Sequence, residues 1–239
     1  VAIFCDLDVL CAAPPAMIAA GYGDILGKYT CLADWRLGQL LWGESIDEEV
    51  AADMRQALES VAPLAGAIGR AEPEAIRALI KALIASGNAM AAVGSSRPAS
   101  GAEHHVSHLL EMRLLQQGRP PVLHGAKVGA ATVLMARSYQ RLRAMPRTEA
   151  ERRLAGNPWP NADKQEAEIR AGYGSIAPQV IANHRAFIML DEAGRAALYG
   201  RILAHWDDIQ AVAASVPPPG ELASLLAQAG GPTKLTALG

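Results

Sequence analysis

Apolar and polar positions along most of the chain follow the spacing of helices rather than the alternation typical of strands. Alanine is abundant, and β-branched and aromatic residues seldom alternate with polar ones. The pattern predicts helices at about 16–20, 24–42, 47–61, 74–86, 101–117, 125–145, 162–171, 177–188, 192–214 and 220–228. The fold class predicted from the pattern is therefore mainly α.

Short motifs refine the ends of these helices. Ser45-x-x-Glu48 and Ser100-x-x-Glu103 both fit a capping box, and Pro73 suits the first position of a helix. Segments rich in Gly, Pro or Asn predict loops at 93–99, 118–123, 156–160 and 216–220.

The N-terminal segment differs from the rest. Residues 1–5 (Val-Ala-Ile-Phe-Cys) form an apolar run typical of a buried strand, yet the pattern offers no second strand to pair with it. We therefore expect residues 1–12 to be the terminal strand and exit of another domain whose remainder is absent. Residues 13–239 would form an all-helical domain. The tail at 230–239 also lacks a clear helix end, so we expect sequence to be missing on both sides.

Composition and charge exclude several classes of partner. The chain has 239 residues, 51% apolar and 19% charged, with a formal net charge of −2. This balance disfavours nucleic-acid and anionic-membrane partners. No signal peptide is recognisable, and no apolar run reaches the 18 to 20 residues or so that a membrane span needs.

The three cysteines lie near the N-terminus. Cys5, Cys11 and Cys31 show no CxxC spacing. An odd number without that spacing argues against a disulfide framework or a thiolate zinc site. A reducing, cytoplasmic location is expected.

Four of the six histidines fall within 21 residues of one another, which suggests metal chemistry. His104 and His108 are four apart in one predicted helix and share a face, whereas His105 is rotated by about 100° from His104. His124 precedes Gly125 at the start of the next predicted helix. Imidazoles that converge from two helix ends suit Zn²⁺, Ni²⁺ or Fe²⁺.

Asp24 is the best candidate for a carboxylate that completes a three-ligand site with an open position. It lies between Gly21 and Gly27 at a predicted helix start, and the flanking glycines allow close backbone approach. Asp24 could instead be an N-cap, and histidines four apart are often ordinary surface or core residues. His105 occupies the position after His104 where HExxH requires Glu, which disfavours a zincin protease. The residues alone therefore support a metal site only as a hypothesis.

Four strings of residues resemble glycerol-1-phosphate dehydrogenases. They are 6–10 (Asp-Leu-Asp-Val-Leu), 19–30 (Ala-Ala-Gly-Tyr-Gly-Asp-Ile-Leu-Gly-Lys-Tyr-Thr), 94–108 (Gly-Ser-Ser-Arg-Pro-Ala-Ser-Gly-Ala-Glu-His-His-Val-Ser-His) and 123–129 (Leu-His-Gly-Ala-Lys-Val-Gly). The Ser-Ser-Arg-Pro string is typical of this branch. The Gly-Asp and His-Gly strings are shared more widely with glycerol dehydrogenases and iron-type alcohol dehydrogenases.

The resemblance implies a fold and a set of site residues. The fold is the helical metal-binding domain of a dehydroquinate synthase-like, iron-type alcohol dehydrogenase, with one N-terminal strand left from a missing α/β nucleotide-binding domain. Asp24, His104 and His124 correspond to metal ligands. Asp24 and His108 correspond to substrate-binding residues, and His108 also to the catalytic position that hydrogen-bonds substrate or relays its proton. The resemblance gives His105 no role.

The implied reaction interconverts dihydroxyacetone phosphate and sn-glycerol 1-phosphate with NAD(P). It uses one divalent metal, Zn²⁺ first and Ni²⁺ or Fe²⁺ as alternatives, and a phosphorylated polyol as small-molecule partner. NAD(P) would be bound mainly by the absent domain, since no GxGxxG occurs in this chain. A homo-oligomer is expected. Arg97 and Lys127 are possible contacts for the substrate phosphate, although a solvated cation at a loop or helix end is the favoured interpretation of each.

Three alternatives stay open from the sequence. The chain could come from a glycerol dehydrogenase or from another iron-type alcohol dehydrogenase relative. It could also be a non-catalytic helical remnant that serves as an interaction module. Dehydroquinate synthases are disfavoured, because they typically carry Glu where Asp24 stands.

Overall fold

A computed structural model describes residues 2–156 and 159–238, and the protein is mainly α. The helices within those residues are α1 (Leu7–Cys11), α2 (Pro15–Leu26), α3 (Lys28–Trp42), α4 (Glu48–Val61), α5 (Ala65–Gly69), α6 (Pro73–Val93), α7 (Ala102–Gln116), α8 (His124–Ala144), α9 (Arg147–Gly156), α10 (Ala162–Tyr173), α11 (Ala177–Ile188), α12 (Glu192–Ala204), α13 (Trp206–Ala214) and α14 (Pro219–Gln228). Short 3₁₀ turns occur at Ala62–Leu64, Gly174–Ile176 and Leu235–Leu238.

Most predicted helices are present, with differences at particular places. α1, α5 and α9 were not predicted, because each is short or lacks a continuous apolar stripe. The helix predicted over 192–214 is interrupted at His205, whose backbone leaves helical geometry at φ −104° and ψ 24°. Directly after this break, Trp206 and Ile209 are buried. The predicted loop at 156–160 lies partly outside the described residues.

The predicted N-terminal strand is wrong for the part of residues 1–5 that the structure describes. Residues 2–5 have no regular secondary structure, and no strand occurs anywhere in 2–156 or 159–238. A strand needs a hydrogen-bonded neighbour, and these helices offer none. Ile3 and Phe4 are instead 69% and 94% exposed. α1 begins at Leu7, capped by the Asp6 carboxylate, which accepts the N–H of Asp8 at 3.0 Å.

Helix ends match their expected chemistry in part. Pro73 begins α6, as predicted. The capping box expected at Ser45 is not formed, because the Asp47 carboxylate occupies the N-cap of α4 and accepts a first-turn N–H at 3.1 Å. Gly43 and Gly94 cap the C-terminal ends of α3 and α6, and their φ values of 68° and 71° lie in the left-handed region that favours glycine.

The core lies around α2 and α8, which cross in the middle of the molecule. α8 packs on α2, α7, α13 and α14, and α2 also contacts α5 and α6. Tyr22 on α2 is fully buried, and its hydroxyl donates to the Ala62 carbonyl at 2.6 Å. α2 is therefore held on both sides by helices from distant parts of the chain.

Glycines allow α2 and α8 to touch through their backbones. A Cβ atom added at Gly125 would overlap the carbonyl oxygen of Ala20, and one added at Gly23 would overlap the carbonyl of Gly125. Any side chain at either position would push the helices apart. The predicted close approach is thus present, and it brings Asp24 beside His124.

α6 is long and apolar enough, by length and composition alone, to cross a membrane. It contains no uninterrupted apolar run of about 18 to 20 residues, so the sequence pattern did not predict a span there. One such helix is weak support for a membrane protein, because a core helix of a soluble protein meets the same conditions. α6 carries Glu74, Arg77 and Lys81, and it buries Ile76 and Leu79 in the core formed with α2 and α4.

Candidate metal centre

Three potential ligands meet where α2, α7 and α8 converge. Asp24 lies in the last turn of α2, His104 in the first turn of α7, and His124 begins α8. One donor atom of each lies within 4.8 Å of the others. The Nε2 atoms of His104 and His124 are 3.4 Å and 3.7 Å from Oδ1 of Asp24. The structure thus brings together the three residues predicted as ligands.

The donor set fits a divalent transition metal. Two atoms bound to one tetrahedral Zn²⁺ at 2.0–2.2 Å lie roughly 3.3–3.6 Å apart, close to the two distances from Asp24 Oδ1. One carboxylate oxygen and two imidazole nitrogens suit Zn²⁺, Fe²⁺ or Ni²⁺. Three protein ligands leave a fourth position for substrate, as in catalytic zinc sites.

Asp24 lies near the end of a helix, whereas the sequence predicted a helix start at this residue. The chain does not begin a helix at Asp24, because α2 continues through Gly23 to Leu26. Gly23 acts here as a contact surface for α8 rather than as a helix breaker. The alternative interpretation of Asp24 as an N-cap is therefore wrong.

Lys28 forms an ion pair with the second carboxylate oxygen of Asp24, a contact that was not predicted from the sequence. Its side chain is 1% exposed, and its Nζ donates to Asp24 Oδ2 at 3.1 Å and to the Ala99 carbonyl at 2.9 Å. Oδ2 therefore faces Lys28, while Oδ1 faces the two histidines. The i, i+4 spacing of Asp24 and Lys28 could have revealed this contact.

Electrostatics keep Asp24 ionised. Burial alone would raise the pKa of this carboxyl. The hydrogen bond with His104 and the nearby Lys28 ammonium outweigh burial and lower the pKa to about 2. Asp24 is therefore a charged ligand at neutral pH.

Glu103 holds the far side of the His104 ring. Its Oε1 is 2.7 Å from His104 Nδ1, and its side chain is fully buried. It also accepts the Thr30 hydroxyl at 2.6 Å and the Gly101 N–H at 2.7 Å. The predicted capping box with Ser100 is not formed, because α7 begins one residue later and Gly101 is its N-cap.

The three pocket histidines differ in their proton affinity. Burial lowers the pKa of His104, but its hydrogen bonds with Asp24 and Glu103 outweigh burial, so the net shift is upward. Burial lowers the pKa of His108 and of His124. Without a metal, His104 is therefore the imidazole that best retains a proton.

His108 lies beside the ligands rather than among them. Its ring centroid is 6.4 Å from that of His104 and 5.9 Å from that of His124. All three rings line a pocket of about 360 Å³, with Asp24, Lys28, Ser86, Met90, Ser96, Ala99 and Ser100. His105 faces another way, as predicted, and its ring lies 5.8 Å from His184 on α11.

Arg97 and Lys127, the two possible phosphate contacts, have protein partners outside the pocket. Arg97 forms a two-pronged ion pair with Glu44. Lys127 is 1% exposed, and its Nζ lies 2.9 Å from the Val122 carbonyl and 3.1 Å from Glu111. Neither lines the pocket. Among residues 2–156 and 159–238, Lys28 is the one Lys or Arg that does.

Known proteins resemble this chain over part of their length. No family profile matches it. Glycerol-1-phosphate dehydrogenase (NAD(P)+) from Bacillus subtilis (strain 168) is 47% identical over 141 residues, 59% of this chain and 36% of that protein. The protein of the same name from Pyrococcus horikoshii is 43% identical over 136 residues, 57% of this chain and 38% of its own length. The one from Geobacillus stearothermophilus is 33% identical over 231 residues, 97% of this chain and 48% of that protein.

These similarities confirm the resemblance inferred from the sequence strings. The chain spans about half the length, or less, of the curated relatives that it matches.

Proposed function

We propose that this chain is the metal- and substrate-binding half of an NAD(P)-linked dehydrogenase that acts on a phosphorylated polyol. A hydride from the nicotinamide would add to C2 of dihydroxyacetone phosphate, and a proton would add to the carbonyl oxygen. The products are sn-glycerol 1-phosphate and NAD(P)+. The observation that carries the proposal is the convergence of Asp24, His104 and His124. The names of the relatives support the substrate and cofactor.

The metal ligands prepare the site for the substrate oxygen. A divalent cation, Zn²⁺ in the first instance, would supply Lewis-acid stabilisation of the charge that develops on that oxygen. Asp24 contributes a full negative charge, and Lys28 occupies its Oδ2 so that only Oδ1 faces the histidines. His104 and His124 complete the ligand set from two different helices.

His108 is suited to bind the substrate and to handle its proton. It lies one turn beyond His104 on α7 and lines the same pocket. Burial lowers the pKa of His108, so its imidazole is neutral at pH 7 and can accept a proton. In the direction of alcohol oxidation, His108 would accept the hydroxyl proton or hydrogen-bond that hydroxyl.

In this proposal, NAD(P) is bound mainly by a domain that is not part of these 239 residues. Residues 1–12 would end a nucleotide-binding domain, and 13–239 would form the helical domain. In support, Ile3 and Phe4 are exposed beside an apolar groove that also includes Ile80 and Leu83 of α6. The relatives are also longer than this chain, since the matched residues make up only 36% of one relative and 48% of another. Self-association and a cytoplasmic location stay predictions.

An unphosphorylated polyol is the second candidate substrate. Lys28 is the one Lys or Arg that lines the described pocket, and its buried ammonium already contacts Asp24 and Ala99. A phosphate group would therefore depend on Ser96 and Ser100, on backbone N–H groups, or on a neighbouring domain. This observation favours a neutral substrate such as glycerol.

Substrate binding to the zinc-loaded chain tests the proposal. Calorimetric titration with dihydroxyacetone phosphate is expected to show binding that disappears after zinc is removed and weakens in His108→Ala. Dihydroxyacetone serves as the control ligand. Equal binding of the two ligands would favour the neutral substrate, and zinc-independent binding of both would contradict the proposal. Residues 1–239 alone are expected not to oxidise NADH or NADPH.

A further inference from the structure

We propose that Glu103 is a positioning residue that presents His104 Nε2 to the metal and strengthens metal binding through its buried charge. This inference rests on the proposed metal site and deepens it. Sequence motifs suggested only a capping role for Glu103. Four structural observations indicate that Glu103 orients the His104 imidazole.

The first observation is the contact itself. Glu103 Oε1 lies 2.7 Å from His104 Nδ1. An ionised carboxylate only accepts hydrogen bonds, so Nδ1 must carry the proton. In the neutral ring this leaves the lone pair on Nε2, the atom 3.4 Å from Asp24 Oδ1. The contact thus selects the tautomer that can bind a metal between Asp24 and His124.

The second observation is that Glu103 is itself fixed. The Thr30 hydroxyl donates to Oε2 at 2.6 Å, and the Gly101 N–H donates to Oε1 at 2.7 Å. With His104 Nδ1, three donors hold a carboxylate that is fully buried. A carboxylate with this many donors keeps its orientation and its charge.

The third observation concerns the residue before α7. A Cβ atom at Gly101 would lie 2.8 Å from Cys31 Cα and 3.0 Å from Glu103 Oε2. Glycine at this position therefore lets α7 start directly against α3. The distance from Thr30 to Glu103 depends on that close approach.

The fourth observation separates Glu103 from its neighbour Asp34. The Asp34 carboxylate accepts the Ala102 N–H at 2.6 Å and the Tyr139 hydroxyl, so it already ties the start of α7 to α3. Asp34 makes no hydrogen bond to an imidazole in the described residues. Capping of α7 thus has its own carboxylate, and Glu103 is the one that contacts a ligand.

Two substitutions separate charge from orientation. Glu103→Gln keeps an oxygen that can accept from Gly101 and His104, and its amide can donate to Thr30, so orientation is kept and charge is lost. Glu103→Ala removes both. Loss of a residue that hydrogen-bonds a metal ligand typically weakens metal binding by about 10- to 100-fold. We expect about 10-fold weaker zinc binding for Glu103→Gln and about 100-fold for Glu103→Ala.

The test measures zinc affinity of the 239-residue chain by competition with a chromophoric chelator. Asp34→Asn is the matched control, because it removes the charge of a neighbouring, partly buried carboxylate without touching His104, and it is expected to bind zinc as the wild type does. Nitrogen-15 NMR of labelled histidine provides a second readout. In the wild type, His104 should be protonated at Nδ1 and zinc-bound at Nε2. Glu103→Ala should lose the fixed Nδ1 proton signal.

Each contrary result has a distinct meaning. Zinc affinities equal to the wild type in both Glu103 variants would overturn the inference while leaving the metal site intact. An equal loss in Asp34→Asn and Glu103→Gln would also overturn it, since the effect would then follow any carboxylate charge near the start of α7. A wild-type chain that binds no zinc would overturn the proposed function together with this role.

Discussion

The two faces of α7 carry adjacent histidines in contrasting surroundings. On the inner face, His104 is buried, and its ring lies 5.1 Å from that of His124. On the outer face, His105 is exposed, and its ring lies 5.8 Å from that of His184. Each histidine thus has a second imidazole from another helix at a similar distance. Proximity of two rings therefore does not distinguish the faces.

The difference lies in carboxylates and in helix packing. His104 has Asp24 and Glu103 within 3.4 Å and 2.7 Å of its two ring nitrogens. In the part of the chain that the structure describes, no carboxylate lies within ion-pair distance of His105 or His184. The inner face also rests on the glycine-lined crossing of α2 and α8. His104 is a candidate ligand because Glu103 fixes its ring and because Asp24 supplies a third donor beside the two imidazoles.

The largest expected effect comes from breaking the helix crossing beneath the inner face. Gly125→Ala would drive a Cβ into the Ala20 carbonyl and separate α2 from α8. We expect a loss of about 3 kcal/mol in the free energy of unfolding, as for severe overpacking, together with weaker zinc binding. Urea denaturation with and without zinc measures both.

Gly87→Ala is the matched control for that substitution. Gly87 lies inside α6, and a Cβ there would meet nothing within 4 Å. We expect it to stabilise the chain by about 0.5–1 kcal/mol, the usual preference for Ala over Gly in a helix. Equal stability changes in the two variants would contradict the account of the crossing.

Comparison of the adjacent histidines His104 and His105 on α7 gives the next effect in size. His104→Ala removes a ligand and should weaken zinc binding by more than the roughly 100-fold expected for loss of a supporting contact. His105→Ala should leave zinc affinity unchanged, since its ring faces α11. Zinc titration of both variants, after their folded state is checked by circular dichroism, decides the point. A larger loss in His105→Ala would reverse the comparison.

Proton competition sharpens the contrast between the inner-face ligands. The pKa of His104 is raised and that of His124 is lowered, so as the pH falls His104 takes up a proton before His124 does. Zinc must displace that proton. Affinity should therefore be constant above the His104 pKa and fall about tenfold per pH unit below it.

Calorimetry in buffers of different ionisation enthalpy measures the protons released. Proton release is expected to rise as the pH is lowered through the His104 pKa, because Asp24, with a pKa of about 2, stays ionised across that range. A profile that is flat across the histidine range would contradict the assignment of His104 as a ligand.

Among the three histidines of the pocket, His108 has the smallest expected effect on zinc binding. It shares the pocket with His104 and His124, but we assign it to the substrate rather than the metal. His108→Ala should change zinc affinity only a few-fold. Loss of zinc comparable with that in His104→Ala would make His108 a ligand and displace one of the three residues assigned here.

Much of this arrangement could be predicted from the sequence, because helix periodicity and the strings around Asp24, His104 and His124 are local features. The contacts of Glu103 could not, since they depend on how α3 packs against α7. For Lys28, the i, i+4 spacing from Asp24 was a local signal, but its contact with Ala99 depends on the fold. The orientation of Asp24 was also missed, because glycines normally end helices and here they serve a crossing. The apolar residues 2–5 suggested a strand, yet strand formation depends on a partner that local sequence does not specify.

An anomalous difference map from crystals of the zinc-loaded chain tests the central claim most directly. The account predicts one strong zinc peak about 2.0–2.2 Å from Asp24 Oδ1, His104 Nε2 and His124 Nε2. It predicts no comparable peak between His105 and His184. Absence of zinc at the first position, or a stronger peak at the second, would contradict the assignment of the inner face of α7 as the metal centre.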